Sequence, residues 1–295
     1  MTERGEPFFG RRTLALDNGH VRVEVLAETG PRIVRLRLHG SQANLLAETP
    51  DVSWQTPWGD YQLLGGHRLS CAPEDPAWSW TPEGNDVRVS ELDGGVRLER
   101  LEAATQLRKA IEIELLPDAA EVRLRHLVRN EGAQPRRLAP WAITMLRLGG
   151  LALLPQQAEP APGCERLPNW TLVLWPYSSW SEPRLELSDE LVLLHAEAGP
   201  EFKLGQLSPL GCAGYLVEDV LFCKRFGFEL ELRYPDLGCN FEAYCNERAI
   251  EIESLVPLVE LEPGEDVVHL ERWLLRRVQP QSSPAQLAAL LVSLA

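Results

Sequence analysis

The stretch Gly238–Arg276, GCNFEAYCNERAIEIESLVPLVELEPGEDVVHLERWLLR, decides how this chain is read. It reads as four short strands. Phe241, Ala243 and Cys245 alternate with Glu242, Tyr244 and Asn246, and after a turn near residues 246–248, Ile250 and Ile252 alternate with Glu251 and Glu253. Side chains two apart on a strand share a face. One strand therefore offers Glu242, Tyr244 and Asn246 together, and its neighbour offers Glu251 and Glu253. Two carboxylates at i and i+2 on a strand lie roughly 6–7 Å apart, close enough for their repulsion to raise one pKa in a partly dry site. Pro257 ends that strand, Glu262-Pro263-Gly264-Glu265-Asp266 is a turn, and Val267–Arg276 is a closing strand. Such alternation commonly marks a strand with one solvated face. A site requires the rest of the chain to fold further polar groups and a cleft over these carboxylates.

Bulk properties narrow the classes. The chain has 295 residues, 44% of them hydrophobic, which is enough for a sizeable core. Lys and Arg number 29 against 43 Asp and Glu, a net charge of −14. No basic cluster suits nucleic acid, and an anionic membrane would repel such a surface. A neutral or cationic small ligand fits better than a phosphorylated one, unless the arginines gather locally. The opening MTERGEPFFGRR has no apolar core of a secretory signal, and no apolar run reaches the ~18 residues of a membrane span, so a cytoplasmic protein is expected. The six cysteines show no C-x-x-C spacing. Reduced, buried thiols and no metal site are therefore the expectation.

Outward from the opening stretch, most of the chain reads as strands. Asn18-Gly19 and Asp93-Gly94-Gly95 are hairpin turns, and Gly30-Pro31 is a break. Leu107, Lys109, Ile111, Ile113 and Leu115 share one face, as do Val122, Leu124, His126 and Val128, which makes His126 a core or interface histidine. Residues 47–85 differ: Trp54, Trp58, Tyr61, Trp78 and Trp80 lie among prolines without clear periodicity, around Gly65-Gly66-His67-Arg68. Long segments of that kind are often functional. Aromatic faces stack on the C–H faces of sugars, although the same tryptophans could simply pack a large loop down. The paired glycines allow a close backbone approach or a tight turn beside His67. Residues 151–190 are a second such stretch, with Trp170, Trp175, Tyr177 and Trp180. Lys203 and Lys224 sit beside apolar residues, where a lysine can run its stem along the core and lift its ammonium to water. Only the end is helical: Ser283 is the expected N-cap, Pro284 the first helical residue, and the helix runs over about 284–294. Many short strands with closely spaced turns, and no long linker, predict an all-β, large antiparallel β-sandwich forming a single domain over residues 1–295.

The ordered motifs resemble the galactose mutarotase-like superfamily, the β-sandwich of the aldose 1-epimerases. Gly30-Pro31-Arg32-Ile33 with Asn44-Leu45-Leu46 resembles that family's opening, and Gly65-Gly66-His67-Arg68 its early histidine–glycine segment. Asn130-Glu131-Gly132 with Pro140-Trp141 resembles its central strand. Glu251-Ile252-Glu253, followed by Leu261-Glu262-Pro263-Gly264-Glu265, resembles its catalytic-glutamate strand and the turn after it. Gly66-His67-Arg68-Leu69 with Pro73-Glu74, and Glu251-Ile252-Glu253-Ser254-Leu255-Val256-Pro257-Leu258, are similar to a branch of the superfamily without an assigned activity.

The resemblance implies acid–base ring opening of a monosaccharide or sugar derivative without cofactor or metal. It implies Glu253 as base, Glu251 as the next candidate, and His67 as acid or hydroxyl-binding group. Arg68, Glu74, Trp141, Lys203, Lys224, Glu242, Tyr244 and Asn246 are the accompanying substrate-binding candidates. The implied partner is a small-molecule carbohydrate, with no nucleic acid and no membrane; the oligomeric state stays open. One departure stands out: the family's central-strand histidine falls at or near Trp141, and an indole cannot protonate a ring oxygen. A non-catalytic sugar-binding or sensing protein of the same fold is therefore the alternative. Hydrolysis by the pair Glu251 and Glu253 is a third reading.

Overall fold

The computed structural model describes residues 2–157, 166–279 and 282–294, which leaves Cys164 outside the described residues. Two antiparallel sheets pack face to face. The first runs in space as Glu3–Arg4, Thr13–Asp17, Val21–Leu26, Arg32–Leu38, His67–Ala72, Arg136–Leu146, Ile250–Leu255, Phe241–Cys245, Phe202–Gln206 and Val173–Leu174, with Val259–Leu261 added to Arg136–Leu146. The second runs as Leu185–Leu187, Leu191–His195, Leu151–Pro155, Cys212–Val217, Val220–Phe226, Asp266–Arg277, Glu121–Asn130, Leu107–Leu115, Gly95–Glu102 and Arg88–Leu92. The opening stretch thus divides between them. Its first three strands join the first sheet and its closing strand joins the second, so the turn at residues 262–265 carries the chain from one layer to the other.

The interior between the sheets is built by period-two alternation. Val23, Val25, Ile33 and Leu36 from the first sheet meet Val96, Ile111, Ile113, Val122 and Leu124 from the second, all essentially inaccessible to water. Each such side chain contributes about 1.5–3 kcal/mol on leaving water. Lys109 follows the same alternation inward and is neutralised there by Glu102 at 2.8 Å.

Residues 47–85 are more regular than their composition suggests. Glu48–Thr56 and Gly59–Gly65 form a two-stranded ribbon, and His67–Ala72 is a central strand of the first sheet. The prolines and tryptophans hid an alternation in which half-buried Val52, Trp54 and Thr56 take turns with exposed Asp51, Ser53 and Gln55. Gly65 and Gly66 link the ribbon to that strand at φ +86° and +74°, where a Cβ would fall 2.1 Å from the carbonyl oxygens of Ala47 and Ile33. Only glycine lets the chain pass so close to two neighbouring strands. Both expected roles, tight turn and close approach, are met in one dipeptide.

The helix spans Pro284–Ser293. The Ser283 side chain accepts from the Gln286 amide and the Gln286 side chain accepts from the Ser283 amide, a reciprocal capping box. Leu287, Ala288 and Leu291 bury themselves against Leu153, Leu193, Leu221 and Cys223 on the outer face of the second sheet.

Candidate functional site

The outer face of the first sheet carries the site, and strand register arranges it in rows. Met145, Glu251, Tyr244 and Lys203 lie opposite one another on four adjacent strands, and Ile143, Glu253, Glu242 and Gly205 form the next row. Adjacent strands are ~4.8 Å apart, so the candidates of four strands converge on one patch. Over it lie Trp54 from the ribbon, Trp80 from the loop after Ala72, and Trp175 and Tyr177 from the second aromatic stretch. Together they enclose a cleft of about 500 Å³, within the usual size of small-molecule sites. Gly205 makes room for this wall: a Cβ there would fall 3.2 Å from the Trp175 ring and 2.5 Å from Cys239 Sγ.

The floor is built on a buried ammonium. Lys203 Nζ contacts Glu242 Oε2 at 2.6 Å and Glu253 Oε2 at 3.0 Å. It sits 4.6 Å from the Trp141 ring centroid and 4.7 Å from that of Trp175, a doubly stacked cation–π arrangement. Burial opposes the lysine charge, but the two carboxylates outweigh it and raise the lysine pKa well above its usual value. Glu242, almost wholly buried, has its own pKa raised well above the carboxylate range by that burial, against the pull of Lys203. Glu253 also accepts from Trp141 Nε1 at 2.7 Å, while its Oε1 has no hydrogen-bond partner among the described residues. Trp141, standing where the resemblance places a histidine, thus holds a carboxylate instead of donating a proton to a ligand.

Glu251 is different: it borders the cleft directly. Burial lifts its pKa to about 7, with Arg68 pulling down and Glu253 pushing up. Arg68 Nη2 lies 3.4 Å from Glu251 Oε1, and its guanidinium stacks 5.5 Å from the Trp80 ring. Trp80 Nε1 donates to Glu74 at 3.0 Å. On the opposite side Asn246 Nδ2 donates to Tyr244 Oη at 3.1 Å, and Tyr244 donates to Glu201 at 2.7 Å. The aromatic wall is braced from behind. Arg32, fully buried, pairs with Glu83 and donates to Tyr61 Oη, and Tyr61 packs 4.8 Å from Trp54 and 5.5 Å from Trp80.

No family model matches the sequence, and no curated protein sequence matches it either. Solved structures do. A galactose mutarotase-like protein from Lactobacillus casei superposes with a TM-score of 0.56 at 12% identity, covering 90% of this chain and 100% of the other. The chain has the galactose mutarotase-like fold. A candidate aldose 1-epimerase from Klebsiella pneumoniae superposes with a TM-score of 0.63 at 12% identity, covering 99% and 86%. A TPR-domain containing protein from Parabacteroides distasonis gives 0.63 at 14% identity over 92% of this chain, which spans only 48% of that one.

Within this mutarotase-like sandwich, strand parity separates the expected site residues into two groups. Arg68, Glu74, Trp141, Lys203, Tyr244, Asn246 and Glu251 all border the cleft, and Glu242 and Glu253 lie directly beneath it on Lys203. His67 and Lys224 are corrections, because both point to the opposite, inter-sheet side. His67 immediately precedes Arg68 on one strand, so if Arg68 faces the cleft His67 must face the core. There His67 Nδ1 lies 2.9 Å from Thr144 Oγ1, and its Nε2 lies 2.8 Å from His126 Nε2. Burial holds both histidines below the ordinary imidazole range, His126 at about 4. Lys224 does not reach water. Its ammonium pairs with Glu271 at 2.9 Å and donates to the carbonyls of Ala142 and Ile252. His67, His126 and Glu271 bring ligand atoms within 4.8 Å of one another. Lys224, Ser254 and Trp273 already satisfy Glu271, so a metal ion there would have to displace a lysine.

Sequence reasoning left Trp54, Trp80, Trp175 and Tyr177 unplaced and did not single out Glu201. The tryptophans announced themselves by density, yet nothing in a single sequence says which loop folds over which sheet. Glu201, next to Pro200 in a loop, carries no pattern.

Proposed function

We propose that the cleft binds a monosaccharide or sugar derivative and exchanges its anomers by acid–base ring opening, with Glu251 as the proton-transferring carboxyl. The observation that carries this reading is a carboxyl with a pKa of about 7 bordering an aromatic cleft of about 500 Å³. A general base is most effective when its pKa lies near the working pH, and such a group typically supplies ~10²–10⁴-fold. Glu251 takes the place first expected for Glu253, because Glu253 is committed to Lys203 and Trp141 below the cleft surface. Indole faces offer stacking surfaces to the C–H faces of a sugar, while Arg68, Asn246 and Tyr244 offer partners to its hydroxyls. The names of the similar solved structures, mutarotase-like and aldose 1-epimerase, point the same way.

A second reading is favoured by one observation: among the described residues no histidine lines the cleft. On that reading the protein binds a sugar without turning it over. Hydrolysis by Glu251 and Glu253 is disfavoured, because both project from one strand on the same face instead of flanking a glycosidic bond.

Saturation-transfer NMR of anomer exchange separates the readings. The panel is D-glucose, D-galactose, D-mannose, D-xylose and glucose 6-phosphate. Acceleration of at least one neutral sugar is expected, falling about 100-fold or more in Glu251→Gln. Saturable binding with no acceleration of any sugar would establish the binding protein instead.

A further inference from the structure

We infer that Lys203 is the group that receives the ring oxygen as the sugar opens, a role that rests on the anomer-exchange reading above. An ammonium carries three N–H donors. Glu242 and Glu253 engage Nζ at 2.6 and 3.0 Å, which commits two of them. Lys203 lines the cleft with Nζ between the faces of Trp141 and Trp175, and among the described residues no further oxygen takes its third N–H, which leaves that donor to a ligand. Neither Glu242 nor Glu253 lines the cleft, whereas Lys203 and Trp141, both bonded to Glu253, do. The pair beneath therefore serves to fix the cation, and the cation is what the ligand meets.

Position argues for the role as well. Glu251, Tyr244 and Lys203 stand in one row across three adjacent strands, so the backbones carrying Glu251 and Lys203 are about 10 Å apart. A pyranose ring laid across Tyr244 would have a proton acceptor on one side and a positive charge on the other. Arg68 keeps Nε and Nη1 without partners among the described residues, but its Nη2 stands beside Glu251, so it serves the acceptor's end.

The step balances without any further reagent. The anomeric hydroxyl gives its proton to the Glu251 carboxylate, C1=O1 forms, and the C1–O5 bond breaks with its electron pair going to O5. The developing negative charge on O5 is met by the Lys203 N–H. After rotation about C1–C2 the same events run in reverse on the other face, and Glu251 returns the proton to O1. A fixed donor aimed at developing charge in a site shielded from water is commonly the largest single contribution to catalysis. This also accounts for ring opening without the histidine that the resemblance leads one to expect: an indole holds the carboxylate, and the carboxylate holds an ammonium.

Two measurements test this. The first uses the paired variant Glu242→Gln with Lys203→Met, which removes one carboxylate together with the cation and so avoids stranding both acids. Against the single Glu242→Gln control, kcat for anomer exchange is expected to fall about 100-fold or more, with KM changed less than about fivefold. A paired variant that keeps kcat within threefold of the control overturns the role of Lys203 and leaves the anomer-exchange reading intact. The second measurement uses the unaltered protein and does not depend on how the variants fold. Titration with the best neutral sugar and with its carbocyclic analogue, in which a methylene replaces the ring oxygen, is expected to show at least tenfold weaker binding of the analogue. Equal affinity overturns the inference. A wild type that accelerates no sugar overturns the reading it rests on and this role with it.

Discussion

Glu251 is the residue whose chemistry is most exposed to test. If its carboxylate form accepts the anomeric proton, kcat/KM rises with pH and levels off above about 7, the value to which burial lifts the group. Below that the rate falls close to tenfold per pH unit, and the limb disappears in Glu251→Gln. Arg68 pulls the same pKa down, so Arg68→Gln is expected to move the limb upward while leaving its slope unchanged. Carbon-13 NMR titration of labelled glutamate reads the same ionisation without turnover. A limb that stays put in Arg68→Gln would show that the titrating group is some other residue. At this scale much of the site was legible. Glu251 and Glu253 declared themselves by alternating with isoleucine, whereas Lys203 and Lys224 carried one and the same signal, a charge among apolar residues, and only Lys203 lines the cleft. His67 misled, because its neighbour Arg68 carries an equally strong polar signal and only one of two adjacent strand residues can face the cleft. No motif states which.

At the scale of elements, the sheets follow from period-two alternation and turn chemistry. The four strands of the opening stretch appear as read, at Phe241–Cys245, Ile250–Leu255, Val259–Leu261 and Asp266–Arg277. The ribbon Glu48–Thr56 with Gly59–Gly65 was not legible, since its alternation runs only between half-buried and exposed positions and is flanked by Pro50 and Pro57. The helix was legible to its first residue because capping is local chemistry. Ser283→Ala removes the side-chain acceptor and is expected to cost about 1 kcal/mol, a fall of roughly 2 °C in melting temperature for a chain of this size. The helix rests on the far face of the second sheet, so anomer exchange should be unchanged in that variant. A loss of activity at constant stability would mean that the two faces of the sandwich communicate.

For the whole molecule, two buried ionisations pull stability in opposite directions over one pH window. His126 is held at about 4, below the ordinary 6.5, by burial and by its neighbours His269 and Lys224, with Glu271 opposing. The unfolded chain therefore binds the extra proton first, and stability is lost as pH falls from 6.5 towards 4, by about 3 kcal/mol in all. Glu251 is raised, so the folded protein binds its proton first, and stability is gained by a similar amount as pH falls from about 7 to 4.5. Urea unfolding across pH 4–7 should accordingly show a steeper acid loss in Glu251→Gln and a shallower one in His126→Leu. If both variants keep the wild-type slope, neither group titrates as its surroundings require. The two-layer plan was legible as a whole because many weak strand signals agree. The cleft was not, because its walls come from loops whose destination depends on tertiary packing.

The strand Ile250–Leu255 has a consequence for how such a protein changes over time. Its odd-numbered side chains face the cleft side of the sheet, with Glu251 at the cleft itself, and its even-numbered ones face the layer behind. The two messages are interleaved letter by letter yet are nearly independent. A lineage can rewrite every second position to suit a new ligand and leave the interior text untouched. The same interleaving makes the insertion of a single residue ruinous, since it exchanges the two messages at once.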